Sequence, residues 1–154
     1  MEGNTISVER VIHAPAEQIF ALIADAAKHA SFDGSGGVDH TTTPPQPLTL
    51  GAKFGMAMHG RPESLFLPYR TTNTVIEFEP ARRIAWQTTI LGGLIGGRIW
   101  RYELEPVEGG TRVRETWDIS RDNQRPLLKL GPGPRQAETA MRATLERLAT
   151  QLEA

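Results

Sequence analysis

The sequence predicts an α+β fold in which a curved antiparallel sheet of about six or seven strands wraps around one long C-terminal helix. Two short helices follow the first strand. Three observations carry this expectation. Residues 98–119 alternate between apolar and polar side chains around a tight turn, the period-two signature of a hairpin with one buried face. Residues 135–152 place Met141, Leu145, Leu148 and Leu152 at the spacing of a single buried helical stripe. Short alternating segments between them are punctuated by glycine and proline. An antiparallel sheet with a polar outer face needs a cover for its apolar face, and the long helix supplies it.

Residues 6–13 make the first strand, with Ile6, Val8 and Ile12 on one face. Arg10 shares their parity, so the facing of this strand stays open. Pro15 stands where a first helical turn tolerates it, and Ile19, Phe20, Leu22 and Ile23 form a short amphipathic helix. Asp25 caps a second short helix that runs to Phe32. Residues 33–47, rich in glycine and then proline, read as loop. Asp33, Asp39 and His40 within them lack the spacing of a calcium loop, and no metal site is expected.

Phe54, Met56 and Met58 alternate along a strand over residues 52–59, and the loop over 60–68 carries Leu65, Phe66 and Leu67. A strand over 71–79 puts Thr72, Thr74, Ile76 and Phe78 on one face; the strand over 83–90 does the same for Ile84, Trp86, Thr88 and Ile90. Residues 91–97 are apolar and glycine-rich, either a lid at a pocket mouth or a packed hairpin tip. Residues 120–134 read as a proline-rich loop around Leu127 and Leu128.

The hairpin fixes its own register. With Glu108 and Gly109 as the turn, Glu105 falls opposite Arg112 and Glu103 opposite Arg114, so unlike charges meet. Tyr102 then stands beside Glu115, and Trp100 beside Trp117. Glu115 is the one acid on the inward face. Its burial would raise its pKa unless a cation or donors compensate, and Arg98, of the same parity as Trp100, stands within possible reach. Three roles remain open for it: a structural acid satisfied by Arg98, Tyr102 or a backbone amide, a group that orients a ligand, and a general base.

Composition excludes several functions. A formal net charge of −1 gives no basic field for nucleic acid. The absence of cysteine excludes disulfides, thiolate metal sites and a cysteine nucleophile. His13, His29, His40 and His59 show neither metal spacing nor a triad motif and are expected to be solvent-facing or structural. No signal peptide and no integral membrane segment are read, so the chain is expected to be a single cytoplasmic domain over residues 1–154, a monomer or homodimer.

Residues 11–25, the segment Asp33-Gly34-Ser35-Gly36, residues 69–73, the segment Arg83-Ile84-Ala85-Trp86, the hairpin and the last helix together resemble the START/Bet v 1-like (SRPBCC) superfamily. The nearest likeness is to its polyketide cyclase/dehydrase and lipid-transport branch of actinobacterial type. The resemblance implies a helix-grip fold that binds or carries a hydrophobic small molecule (a lipid, polyketide or aromatic metabolite) between sheet and C-terminal helix, with no cofactor. It also implies an alternative, an aromatase/cyclase-like enzyme of aldol cyclisation or dehydration. No catalytic residue carries over by motif; Glu115 and Tyr102 are the candidates that the hairpin itself offers. Inward parity nominates Phe54, Met56, Met58, Ile76, Phe78 and Trp86 as ligand contacts from the first strands. Arg98, Trp100, Tyr102, Glu115 and Trp117 follow from the hairpin, and Met141 and Leu145 from the helix.

Overall fold

The computed structural model describes residues 3–44, 46–58 and 67–153; the expectations for His59, Leu65 and Phe66 lie outside them. The chain runs β1 (Thr5–Ile12), α1 (Ala16–Ile23), a 3-10 turn (Ala26–Lys28), α2 (His29–Phe32), β2 (Val38–Thr41), β3 (Lys53–Met58) and β4 (Tyr69–Glu79). It continues through β5 (Arg83–Ile90), a 3-10 turn (Leu91–Gly93), β6 (Ile95–Val107), β7 (Gly110–Asp118), α3 (Arg125–Leu130) and α4 (Gly133–Glu153). The strands form one curved antiparallel sheet in the order β1-β7-β6-β5-β4-β3-β2. Helix α4 packs on β1 and β7 and touches α2 and α3, so it closes the concave face as expected.

The hairpin has the register that its charges demand. Tyr102 pairs with Glu115, Trp100 with Trp117, Glu103 with Arg114 and Glu105 with Arg112. Gly109 turns the chain at a φ of 83°, a left-handed conformation that glycine adopts without steric cost. On the outer face the Arg101 guanidinium donates twice to Glu77, at 2.9 and 2.7 Å, and lies 3.5 Å from Asp118. That hydrogen bonding holds the Glu77 carboxyl below its usual pKa. In β1, Val8 and Ile12 are buried and Arg10 is exposed, which resolves the facing of that strand.

Three expectations are corrected. Residues 38–41, read as loop, form β2 and pair with β3 at the sheet edge. Residues 125–130, also read as loop, form α3, with Pro126 in the first turn where its missing N–H costs nothing. The facing of β4 is reversed: Thr71, Asn73 and Val75 are buried, whereas Thr72 is exposed and Thr74 and Ile76 are partly exposed. A β-bulge between Val75 and Glu77 explains the change, because it inserts Ile76 as an unpaired residue and resets the alternation. Phe78 thereby returns to the inner side opposite Ile84, and Glu77 reaches Arg101 on the outer side.

Asp25 caps the turn after α1, its carboxylate accepting from the Ala27 amide at 3.0 Å. Gly34 is required by close packing rather than by its dihedral angles, since a Cβ there would strike the α4 backbone at Ala140 and Thr144. The Gly34 amide donates to the Thr144 hydroxyl at 2.8 Å, which fixes the end of α2 against α4. The buried core runs along this seam through Ile12, Ile19, Phe32, Leu145 and Leu148.

Candidate functional site

Strand pairing arranges the inner wall in rows across the sheet. One row is Ile6, Trp117, Trp100, Trp86 and Val75, contributed in turn by β1, β7, β6, β5 and β4. The three tryptophans therefore stand side by side on adjacent strands. Two residues along β1, β7, β6 and β5, and three along β4 because of the bulge, the next row is Val8, Glu115, Tyr102, Ile84 and Phe78. On the other side of the tryptophans, Asn73, Thr88 and Arg98 form a polar row.

Glu115 is only 3% exposed, and its Oε2 has no hydrogen-bond partner among the described residues. Burial pushes its carboxyl up to about 8; the Tyr102 hydroxyl, hydrogen-bonded to it, partly opposes the rise, while the negative charge of Asp33 adds to it. At neutral pH Glu115 is accordingly a neutral acid with an O–H to donate. Tyr102 is raised well above the usual phenol value by the same burial and by Glu115, so it too stays protonated. Both groups are hydrogen-bond donors on an apolar wall.

Arg98 does not partner Glu115, contrary to expectation. Its Nε lies 3.3 Å from Asp122 Oδ2, in ion-pair range but without hydrogen-bond geometry, and Asp122 is buried just beyond β7. The reason is geometric. Arg98 lies in the polar row, with the tryptophan row between it and the Glu115 row, and the chain after β7 brings Asp122 beside it instead.

His29 is the site residue that sequence reasoning passed over. It is buried, donates from Nε2 to the Ile23 carbonyl at 2.8 Å, and stacks on Trp86 with ring centroids 4.9 Å apart. Phe54 and Phe32 meet it edge-on at 5.5 and 5.3 Å. Burial drives its pKa down to about 4, so it is neutral over the physiological range. Trp86 thus lies between His29 and Tyr102, whose ring centroid is 5.6 Å away. Asn73 was missed as well. It donates to the Phe54 carbonyl at 3.2 Å and to the Thr71 hydroxyl at 3.1 Å, and accepts from Thr88 at 2.7 Å.

Phe54, Met56, Met141 and Leu145 are buried, while Met58 and Phe78 are partly buried against the same core. Ile76 belongs to the bulge and not to the inner row. Two surface concavities, one over Arg83, Glu103 and Arg112 on the outer face and one beside His13 and Pro15, lie away from the Glu115 row. Among the described residues no cluster of acids and histidines could hold a metal, and no helix is long and apolar enough to cross a membrane.

Residues 4–153 match the family model described as polyketide cyclase/dehydrase and lipid transport. The uncharacterized protein Rv0088 of Mycobacterium tuberculosis is 37% identical over 109 residues, which cover 70% of this chain and 44% of that protein. The chain thus spans less than half the length of that relative. Among solved structures, CV1439 of Chromobacterium violaceum superposes with a TM-score of 0.73 at 19% identity, covering 98% of each chain. The AHSA1-like protein of Aeromonas hydrophila gives 0.65 at 21% identity, covering 97% of this chain and 92% of that one. These likenesses establish the shared fold.

Proposed function

The chain belongs to the polyketide cyclase/dehydrase and lipid transport family, whose fold binds hydrophobic ligands, and from this we propose that it binds an apolar small molecule bearing a carbonyl or similar acceptor group. The guest lies between the sheet and α4, its hydrocarbon part on the tryptophan row and its acceptor directed at Glu115 and Tyr102. One observation carries the reading: a buried, protonated carboxyl whose Oε2 has no partner among the described residues, set in rows whose other members are aromatic and aliphatic. A buried polar group left unpaired costs about 1–3 kcal/mol, and a ligand acceptor would recover part of that. Trp86 and His29 are packed together, so binding displaces the Trp86 ring or shifts α2 outward and alters tryptophan emission.

The test is native mass spectrometry of freshly purified protein, followed by displacement of any co-purified species with aromatic ketones. A bound species of defined mass, lost on denaturation, supports the reading. Absence of a bound species, together with unchanged tryptophan emission across a panel of ketones, lipids and polyketides, contradicts it.

An enzymatic reading has one specific observation in its favour. A carboxyl with a pKa near 8 sits close to working pH, where a general acid or base is most effective. In that reading the ionised form of Glu115 takes a proton from the carbon next to a ligand ketone and returns it, while the Tyr102 hydroxyl turns from Glu115 to donate to the carbonyl oxygen. Turnover of a poly-β-ketone substrate, lost in Glu115→Gln while binding persists, distinguishes it from carriage.

A further inference from the structure

We propose that the rim formed by the β5–β6 turn and α3 docks this domain onto an anionic lipid surface. Four leucines stand out from this rim: Leu91 is 65% exposed, Leu94 76%, Leu127 71% and Leu130 88%. Leu127 and Leu130, three residues apart, share one face of α3, while Leu128 between them packs towards the core and anchors the helix. The two leucine pairs belong to one unit because Asn123 ties them together. Its amide donates to the Gly96 carbonyl at 3.0 Å, its side-chain oxygen accepts from the Gly96 amide at 3.0 Å, and its Nδ2 donates to the Leu94 carbonyl at 2.7 Å.

Two further features set this rim apart from incidental exposure. Leu91 holds a φ of 53°, a left-handed conformation that glycine or asparagine adopts at lower cost, yet it presents a leucine to solvent. The charge left free beside α3 is also basic: among the described residues Arg125, Lys129 and Arg135 are exposed with no acid between Asn123 and Ala137, while the buried Asp122 is matched by Arg98 and Glu138 by Arg142. The whole chain, by contrast, carries a net charge of −1. A protein partner with an apolar face would match the leucines without calling for cations. A bilayer with anionic headgroups matches both, since the cations lie at headgroup level while the leucines reach the acyl chains. This contact is peripheral. It is independent of what the inner site binds, although the rim lies at the end of the sheet where the row Asn73, Thr88 and Arg98 stands.

The test is flotation of the full chain with vesicles of phosphatidylcholine alone and of phosphatidylcholine with a third phosphatidylglycerol, at low and high salt. The wild type is expected to float with the anionic vesicles, at least about tenfold more tightly than with the neutral ones, and to be released by salt. The double variant Leu94→Ser/Leu130→Ser should lose about tenfold or more in partitioning. Arg125→Glu/Lys129→Glu should lose the preference for anionic lipid. All four positions are exposed, so an unchanged thermal melt certifies the variants. No flotation of the wild type, or equal flotation of wild type and leucine variant, overturns the proposal. So does a concentration-dependent dimer that Leu130→Ser dissociates in sedimentation without any vesicle binding, which would assign the rim to a second copy.

Discussion

Tyr102 of β6 stands directly opposite Glu115 of β7, and the two share a hydrogen bond in a fully buried setting. Burial keeps that carboxyl neutral at physiological pH in spite of the Tyr102 hydrogen bond, and one of its oxygens has no partner among the described residues. The consequences can be measured in solution.

Glu115→Gln should stabilise the protein at alkaline pH. The folded-state pKa of about 8 lies above the ordinary 4.5, so between these values the folded protein holds a proton that the unfolded chain has released. Stability therefore falls as pH rises through this window, by about 3 kcal/mol at pH 7 relative to acid conditions. Glutamine removes the effect. Urea melts at pH 5 and pH 8 check it: the variant should gain little at pH 5 and on the order of 3 kcal/mol or more at pH 8.

His29 acts in the opposite direction. Its folded pKa of about 4 lies below the ordinary 6.5, so the unfolded chain takes up a proton that the folded protein refuses. The stability present above pH 6.5 is lost as pH falls towards 4, by about 2 kcal/mol at pH 5. Between about 4.5 and 6.5 the slopes of His29 and Glu115 cancel. His29→Gln retains a donor for the Ile23 carbonyl, and the pH dependence of its melts should slope downward across that interval where the wild type is flat.

The bulge in β4 predicts unequal costs at neighbouring positions. Val75 is buried opposite Trp86, and Val75→Ala should cost about 2 kcal/mol in a urea melt. Ile76→Ala, at the partly exposed bulge residue, should cost less than half as much. Equal losses would restore the facing that plain alternation implies.

Gly34→Ala should be destabilising by about 2 kcal/mol or more, because the added methyl meets the backbone of α4 and not a side chain that can turn away. Thermal melting reads the loss directly.

The hairpin was legible in the sequence because two independent signals, alternation and cross-strand charge, agreed on one register. The stripe of α4 was equally legible, since Met141, Leu145 and Leu148 repeat at helical spacing. Signals failed where one residue changes the phase. The Ile76 bulge leaves no mark in an alternating pattern, and it hid Asn73 and Thr71 on the inner face. His29 escaped because its surroundings come from distant segments: Trp86 and Phe54 reach it through the tertiary fold alone. Arg98 misled for the same reason, its partner Asp122 lying 24 positions along the chain. The short strand β2 sits at a sheet edge in a glycine-rich setting, where turn composition outweighs strand pattern.

In the proposed binding mode a protonated Glu115 receives the acceptor group of an apolar guest. The most direct measurement is the affinity of 2-acetylnaphthalene, read by tryptophan quenching from neutral to alkaline pH, for wild type and Glu115→Gln, with naphthalene as the control lacking an acceptor. Wild-type affinity for the ketone should fall as pH passes about 8, the variant should show no such fall, and naphthalene binding should be insensitive to both. A ketone affinity with the same pH profile in both proteins, or no binding of either probe, would contradict this binding mode.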